Sequence, residues 1–160
     1  MTNFLDLPPE LLSSILEFLP RQDLIPLCLV SKALCYISQP VLFSRIKFGW
    51  DKDSTPPIVS LLECIIRRPD LAARVKELNL SGATDFFELF VGKPPPKITL
   101  PSDLNQLDLL SLAIESTGVA FDSLWIQELR DGTMDAFVAL LVAKLPDLKT
   151  LHILYNLFNT

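Results

Sequence analysis

From Pro8 onward the apolar residues recur at helical spacing: Leu11, Leu12, Ile15, Leu16 and Leu19 fall on one broad stripe, with Ser13, Ser14 and Glu17 on the other side. Pro8 and Pro9 suit a first helical turn, where a missing N–H costs nothing, and Glu10 suits the positive end of the helix dipole. Pro20 predicts the stop. A second helix is expected around Asp23, capped by Asp23 or Gln22, with Pro26 in its first turn and Leu24, Leu27, Val30, Leu34 and Ile37 as its buried stripe. Ser38-Gln39-Pro40 predicts a break, and Val41 to Ile46 a short third helix or turn. The polar, proline-bearing stretch from Asp51 to Pro57 reads as a boundary between two packed units.

Beyond it, Ile58, Leu61, Leu62 and Ile65 share one helical face, with Arg67 and Arg68 in the last turn and Pro69 just past it. Asp70 is placed to cap one more short turn. Val75 to Leu80 then alternates Leu with polar residues as a half-buried strand does, and Gly82 predicts its end. From Ala83 to Pro101 the pattern is lost. Lys93-Pro94-Pro95-Pro96-Lys97 reads as an extended surface loop rather than a ligand for a proline-recognising domain. Ser102 is expected to cap a helix from Asp103 to Thr117 closed by Gly118, and Phe121 to Arg130 to form another that Gly132 terminates. A further helix turns Met134, Phe137, Leu141 and Leu145 inward, Val138 and Val142 widen that face, and Pro146 ends it. Leu148 to Ile153 repeats the strand pattern of Val75 to Leu80.

The two strand signals lie 73 residues apart and enclose at least two helices, which predicts parallel pairing through a helical crossover. A standard leucine-rich repeat recurs every 20–29 residues, so any repeat here is irregular and carries insertions. Only Leu154 to Thr160 follow the last strand, too few for a capping repeat. An open strand edge is therefore expected, belonging either to an incomplete repeat segment or to an end that binds something.

Composition narrows the function. The chain is 49% hydrophobic, yet its longest apolar run, Ala136 to Ala143, is far too short to span a bilayer, and Met1 to Asp6 lacks the features of a secretory signal. A soluble protein of the cytoplasm or nucleus, with no membrane partner, is expected. The net charge of −5 leaves no excess of Lys and Arg for a phosphate backbone, so nucleic acid is not an expected partner. Cys28, Cys35 and Cys64 sit in apolar helical patterns without Cys-x-x-Cys spacing and suit thiols in a reducing compartment. With His152 they are too few and too scattered for zinc, and no metal or cofactor is expected.

No nucleophile elbow or phosphate-binding Gly loop is present, and five Gly leave little room for a nucleotide cradle, so no catalytic residue is assigned. His152 alternates with Leu151 and Ile153 and reads as a solvent-facing or structural side chain. Arg67 and Arg68 are explained by their place at a helix end, and Trp50 and Trp125 read as core anchors.

The run Phe4-Leu5-Asp6-Leu7-Pro8-Pro9-Glu10-Leu11-Leu12, followed by Ile15-Leu16, Leu19-Pro20, Asp23-Leu24 and Val30-Ser31-Lys32, resembles the F-box motif. That motif begins Leu-Pro-x-Glu-Leu-Leu, continues to a Leu-Pro-x-x-Asp-Leu turn and ends in Val-Ser-Lys. The resemblance covers a little over a quarter of the chain and implies a mostly α fold: a three-helix F-box over 1–48, then an irregular α/β segment over 49–160. That second segment looks like the leucine-rich tails of many fungal F-box proteins, through Arg68-Pro69-Asp70-Leu71 and Leu145-Pro146-Asp147-Leu148.

In the F-box family the module packs on a Skp-type adaptor bound to a cullin scaffold, and the tail selects an unknown protein substrate for ubiquitination. By resemblance, Leu7, Pro8, Leu11, Ile15, Leu19, Leu24, Leu27, Val30 and Leu34 lie at or under the adaptor contact. Many members carry Trp where this chain has Leu34, which implies a smaller buried area and weaker adaptor binding. An adaptor-binding protein with no part in ubiquitination is the alternative. Three short helices rarely bury so many Leu by themselves, and each Leu left in water forgoes roughly 1.5–3 kcal/mol.

Overall fold

The computed structural model describes residues 4–50, 57–83, 98 and 104–156. A 3-10 turn (Phe4–Asp6) precedes α1 (Pro9–Glu17), α2 (Arg21–Val30) and α3 (Lys32–Ser44), which run into β1 (Arg45–Trp50). Next, α4 (Ile58–Arg67) and α5 (Pro69–Ala72) lead to β2 (Glu77–Ala83). Finally α6 (Leu104–Glu115), α7 (Asp122–Arg130) and α8 (Met134–Ala143) lead to β3 (Thr150–Asn156). The described chain is mostly helical, with its first helices in the motif-bearing stretch and one small sheet. The stretch at 51–56, the loop at 93–97 and the Ser102 cap fall outside the described residues.

The strands pair in parallel in the order β1-β2-β3. Glu77 lies beside Thr150 and Leu80 beside Ile153, which is the 73-residue offset read from the sequence. In the same register Ile46 lies beside Leu78 and Phe48 beside Leu80. Side chains alternate across a strand, so Ile46, Phe48, Leu78 and Leu80 share one face, and all four are buried. Ile58, Leu62 and Ile65 of α4, Leu110 and Ile114 of α6, and Phe137, Leu140 and Leu141 of α8 close over that face in one cluster. Leu151 and Ile153 of β3 continue the same two rows but remain exposed. The opposite face carries the polar row Lys47, Asn79 and His152, and His152 is exposed.

The first helices differ from those that the sequence predicts. The helix expected to run from Asp23 to Ile37 is two helices, because Ser31 is extended at φ −156° and ψ 157° and its hydroxyl accepts a hydrogen bond from Leu34 N at 3.2 Å. Ser31 thus caps α3, the usual work of a Ser ahead of an apolar run. The earlier helix starts at Arg21 behind Pro20, without a side-chain cap from Asp23 or Gln22, so Pro26 falls in its second turn.

No break occurs at Ser38-Gln39-Pro40, and α3 continues to Ser44. Pro40 leaves the Tyr36 carbonyl without its helical donor, but Tyr36 is exposed and water can take that place. Val41 to Ile46 is accordingly the end of α3 and the start of β1. Ser38 is wholly buried and its hydroxyl has no hydrogen-bond partner. Replacing Ser38 by Ala should therefore stabilise the fold by about 1 kcal/mol, seen as a rise of roughly 2–4 °C in Tm.

In the second half, Gly82 does not end β2, which runs through it to Ala83. Asp70 does not cap α5 but lies in its first turn, where Arg68 donates to it through Nε at 2.9 Å and Nη2 at 2.8 Å. That hydrogen bonding holds the Asp70 carboxyl below its ordinary pKa. Lys76 reaches Asp147 at 2.9 Å, tying the entry of β2 to the entry of β3. Gly118 and Gly132 end α6 and α7 with φ of +69° and +75°. At Gly132 the demand for glycine is double, since a Cβ would also collide with the carbonyl oxygen of Ile98, whose N–H donates to Gly132 O at 2.8 Å. Trp125 packs against the core and donates from Nε1 to Ala136 O at 3.0 Å, as an anchor should.

Candidate functional site

The first three helices are held by short-range devices. Pro8 and Pro20 stand extended before α1 and α2, and Pro9 occupies the first helical position of α1. Arg21 reaches from the start of α2 to the end of α3, its Nη1 donating to Leu42 O at 2.8 Å and Arg45 O at 2.9 Å. A guanidinium there satisfies carbonyls that the end of a helix leaves open and complements the negative end of its dipole.

Leu12, Leu16, Leu24 and Leu34 are buried within this module, apart from the cluster beneath the sheet. The broad apolar stripe of α1 splits in two: beside the buried row, Leu11 and Ile15, continued by Phe18 at the C-cap, form a neighbouring row at i, i+4 and i+7, and all three are exposed. On α2 Ile25 and Leu29 stand one turn apart in the same condition. Phe18 is 89% exposed, Leu29 83% and Tyr36 80%. Most of the large exposed apolar side chains among the described residues belong to this module. Such a concentration on so small a unit is the mark of a protein-binding surface.

The nine residues taken from the resemblance divide into three groups. Leu7, Pro8, Leu11, Ile15 and Val30 are exposed and free to touch another molecule. Leu19 and Leu27 are half-buried. Leu24 and Leu34 belong to the module's interior and lie under the surface rather than on it. Phe4, Leu5, Phe18, Ile25, Leu29 and Tyr36 are further exposed apolar residues outside the contact set that the resemblance implies. For Phe18 the signal was available in the spacing from Leu11 and Ile15. For Leu29 and Tyr36 it was available too, since helical spacing puts both on the face turned away from Leu24, Leu27 and Leu34.

Cys28, Cys35 and Cys64 are free thiols of intermediate burial. Burial, and then the neighbouring Cys35, push the Cys28 thiol above its ordinary pKa, which disfavours the reactive thiolate. Among the described residues no group of His, Cys, Asp and Glu is arranged to hold a metal ion, and no helix is long and apolar enough to cross a membrane.

The family model for F-box-like domains matches residues 4–48, the stretch that carries this apolar surface. No curated protein and no solved structure matches the chain significantly. F-box domains are interaction modules of SCF ubiquitin ligases and are not themselves catalytic. Residues 4–48 of this chain are an F-box-like domain.

Proposed function

We propose that this chain is a substrate-recognition subunit of a Skp-cullin-F-box ubiquitin ligase. Residues 4–48 dock on the Skp-type adaptor, and through it on a cullin-RING ligase, while residues 49–160 present a target protein. The observation that carries this reading is the exposed apolar surface of α1 and α2 on the stretch that matches the F-box-like family. A helical face of this kind gains its burial by packing against a partner's helices. The chain works without catalysis of its own, in the cytoplasm or nucleus, because ubiquitin transfer belongs to other subunits of such a ligase.

The consecutive β1-β2-β3 order, with helices between the strands, supports an irregular leucine-rich-repeat-like tail of the kind seen in fungal F-box proteins. The β1-to-β2 and β2-to-β3 offsets both exceed a standard leucine-rich repeat, in keeping with insertions.

Titration of a purified Skp-type adaptor into the chain tests the proposal. Replacing Leu7 and Pro8 together by Ala should weaken the complex by about ten-fold, from the lost burial of two apolar side chains, while circular dichroism stays unchanged. Unaltered affinity in a folded variant would rule out this docking mode. Recovery of the adaptor without a cullin would favour a role apart from ubiquitination.

A further inference from the structure

A groove of about 450 Å³ lies among α4, α5, α6 and the end of α8. Its walls are apolar, with Ile66, Leu109, Leu112 and Pro146 among them, and its polar groups include Ser116 and Lys144. Leu112 is 62% exposed and Pro146 is also exposed, so the groove is open to solvent along its rim. Small molecules are usually enclosed over most of their surface, which this shape does not provide. A peptide can instead insert side chains and leave its backbone outside.

The charge in the groove is unbalanced. Among the described residues Lys144 is the one charged residue lining it, and its Nζ donates to Ser116 Oγ at 2.7 Å. The Ser116 hydroxyl donates in turn to Ala113 O at 2.8 Å, which leaves the ammonium with two further N–H donors. Among the described residues no carboxylate pairs with Lys144, whereas Arg67, Arg68 and Lys76 each have one within 3.1 Å. Partial burial holds the Lys144 pKa below its ordinary value, the signature of an ammonium that has lost water without gaining an anion.

We propose that this groove captures a short acidic-apolar segment of a target protein, its large apolar side chains packing on Leu109 and Leu112 and a neighbouring carboxylate meeting the Lys144 ammonium. The inference rests on the target-presenting role only for the origin of the peptide. The chemistry of the groove stands apart from the F-box-like surface.

The test uses the full chain and immobilised hexapeptides in which Leu or Phe is fixed at one position, Asp, Glu, Asn, Gln or Lys at another, and the rest are mixed. Peptides with Asp or Glu should be retained about ten-fold better than their Asn or Gln counterparts. Lys144→Gln should abolish that preference, Lys144→Arg should keep it, and Leu112→Ser should weaken all apolar peptides alike. Equal retention of acid and amide peptides, no retention by the folded chain, or a preference unchanged in Lys144→Gln would each overturn the proposal. Adaptor titration of the same samples separates the two readings. Peptide selection without adaptor binding refutes only the docking role, and adaptor binding without peptide selection refutes only the groove.

Discussion

Replacing Phe137 by Ala is expected to lower the stability of the chain by about 3–5 kcal/mol, the largest loss available from one side chain in the cluster beneath the sheet. Phe137 is wholly buried in α8 and belongs to the same cluster as Leu62 of α4, Leu78 and Leu80 of β2, and Leu110 of α6. Its removal strips apolar contact from one helix and leaves a cavity that elements anchored elsewhere cannot fill. A domain holds only about 5–15 kcal/mol in total, so the variant should unfold well below the wild type, with Tm lower by roughly 10 °C or more. Thermal unfolding followed by circular dichroism reads the effect. A shift of less than a few degrees would mean that α8 is not packed across the sheet as described.

That cluster was largely legible in the sequence. The inward positions Met134, Phe137, Leu141 and Leu145 follow from helical spacing, and all are buried. The C-terminal end of α4 was marked by Arg67 and Pro69, and the parallel register of β2 and β3 by the matching runs Leu78-Asn79-Leu80 and Leu151-His152-Ile153. What failed was local. Leu24, Leu27, Val30, Leu34 and Ile37 keep helical phase on paper, so a single stripe was read through Ser31, while the chain there is extended and Val30 emerges exposed. Capping chemistry overrode periodicity at that residue. Solvent access lowered the cost of Pro40 inside α3, since Tyr36, whose carbonyl the proline leaves without its helical donor, is exposed.

β1 is hard to see in the sequence for another reason. Arg45, Ile46, Lys47 and Phe48 alternate exposed and buried as a strand should, but Arg45 and Ile46 directly follow a helical pattern and read as the end of the short helix or turn expected over Val41 to Ile46, which leaves Lys47 and Phe48 too short a run to signal a strand. The consequence reaches the site, because β1 begins within the F-box-like stretch and pairs with β2 of the segment that follows. Residues 4–48 thus contribute Ile46 and Phe48 to the cluster beneath the sheet while keeping Leu12, Leu16, Leu24 and Leu34 for themselves.

The division between surface and interior leads to the second large effect. Leu11→Asp combined with Leu29→Asp should reduce adaptor affinity at least about 100-fold, taking a loss of roughly 1.5 kcal/mol or more for each buried Leu that becomes a charge. The fold should persist, because both positions face solvent in the free chain and Leu29 is 83% exposed. Leu24→Asp differs from Leu29→Asp by little more than one turn of α2, yet it should unfold the module, since Leu24 is buried against its neighbours. Calorimetric titration of a Skp-type adaptor, paired with circular dichroism of each variant, separates the two cases. Wild-type affinity in the folded double variant would show that the exposed faces of α1 and α2 take no part in docking. A well-folded Leu24→Asp chain would place that residue on the surface instead, and the interior assigned to α1, α2 and α3 would have to be redrawn around a different set of leucines.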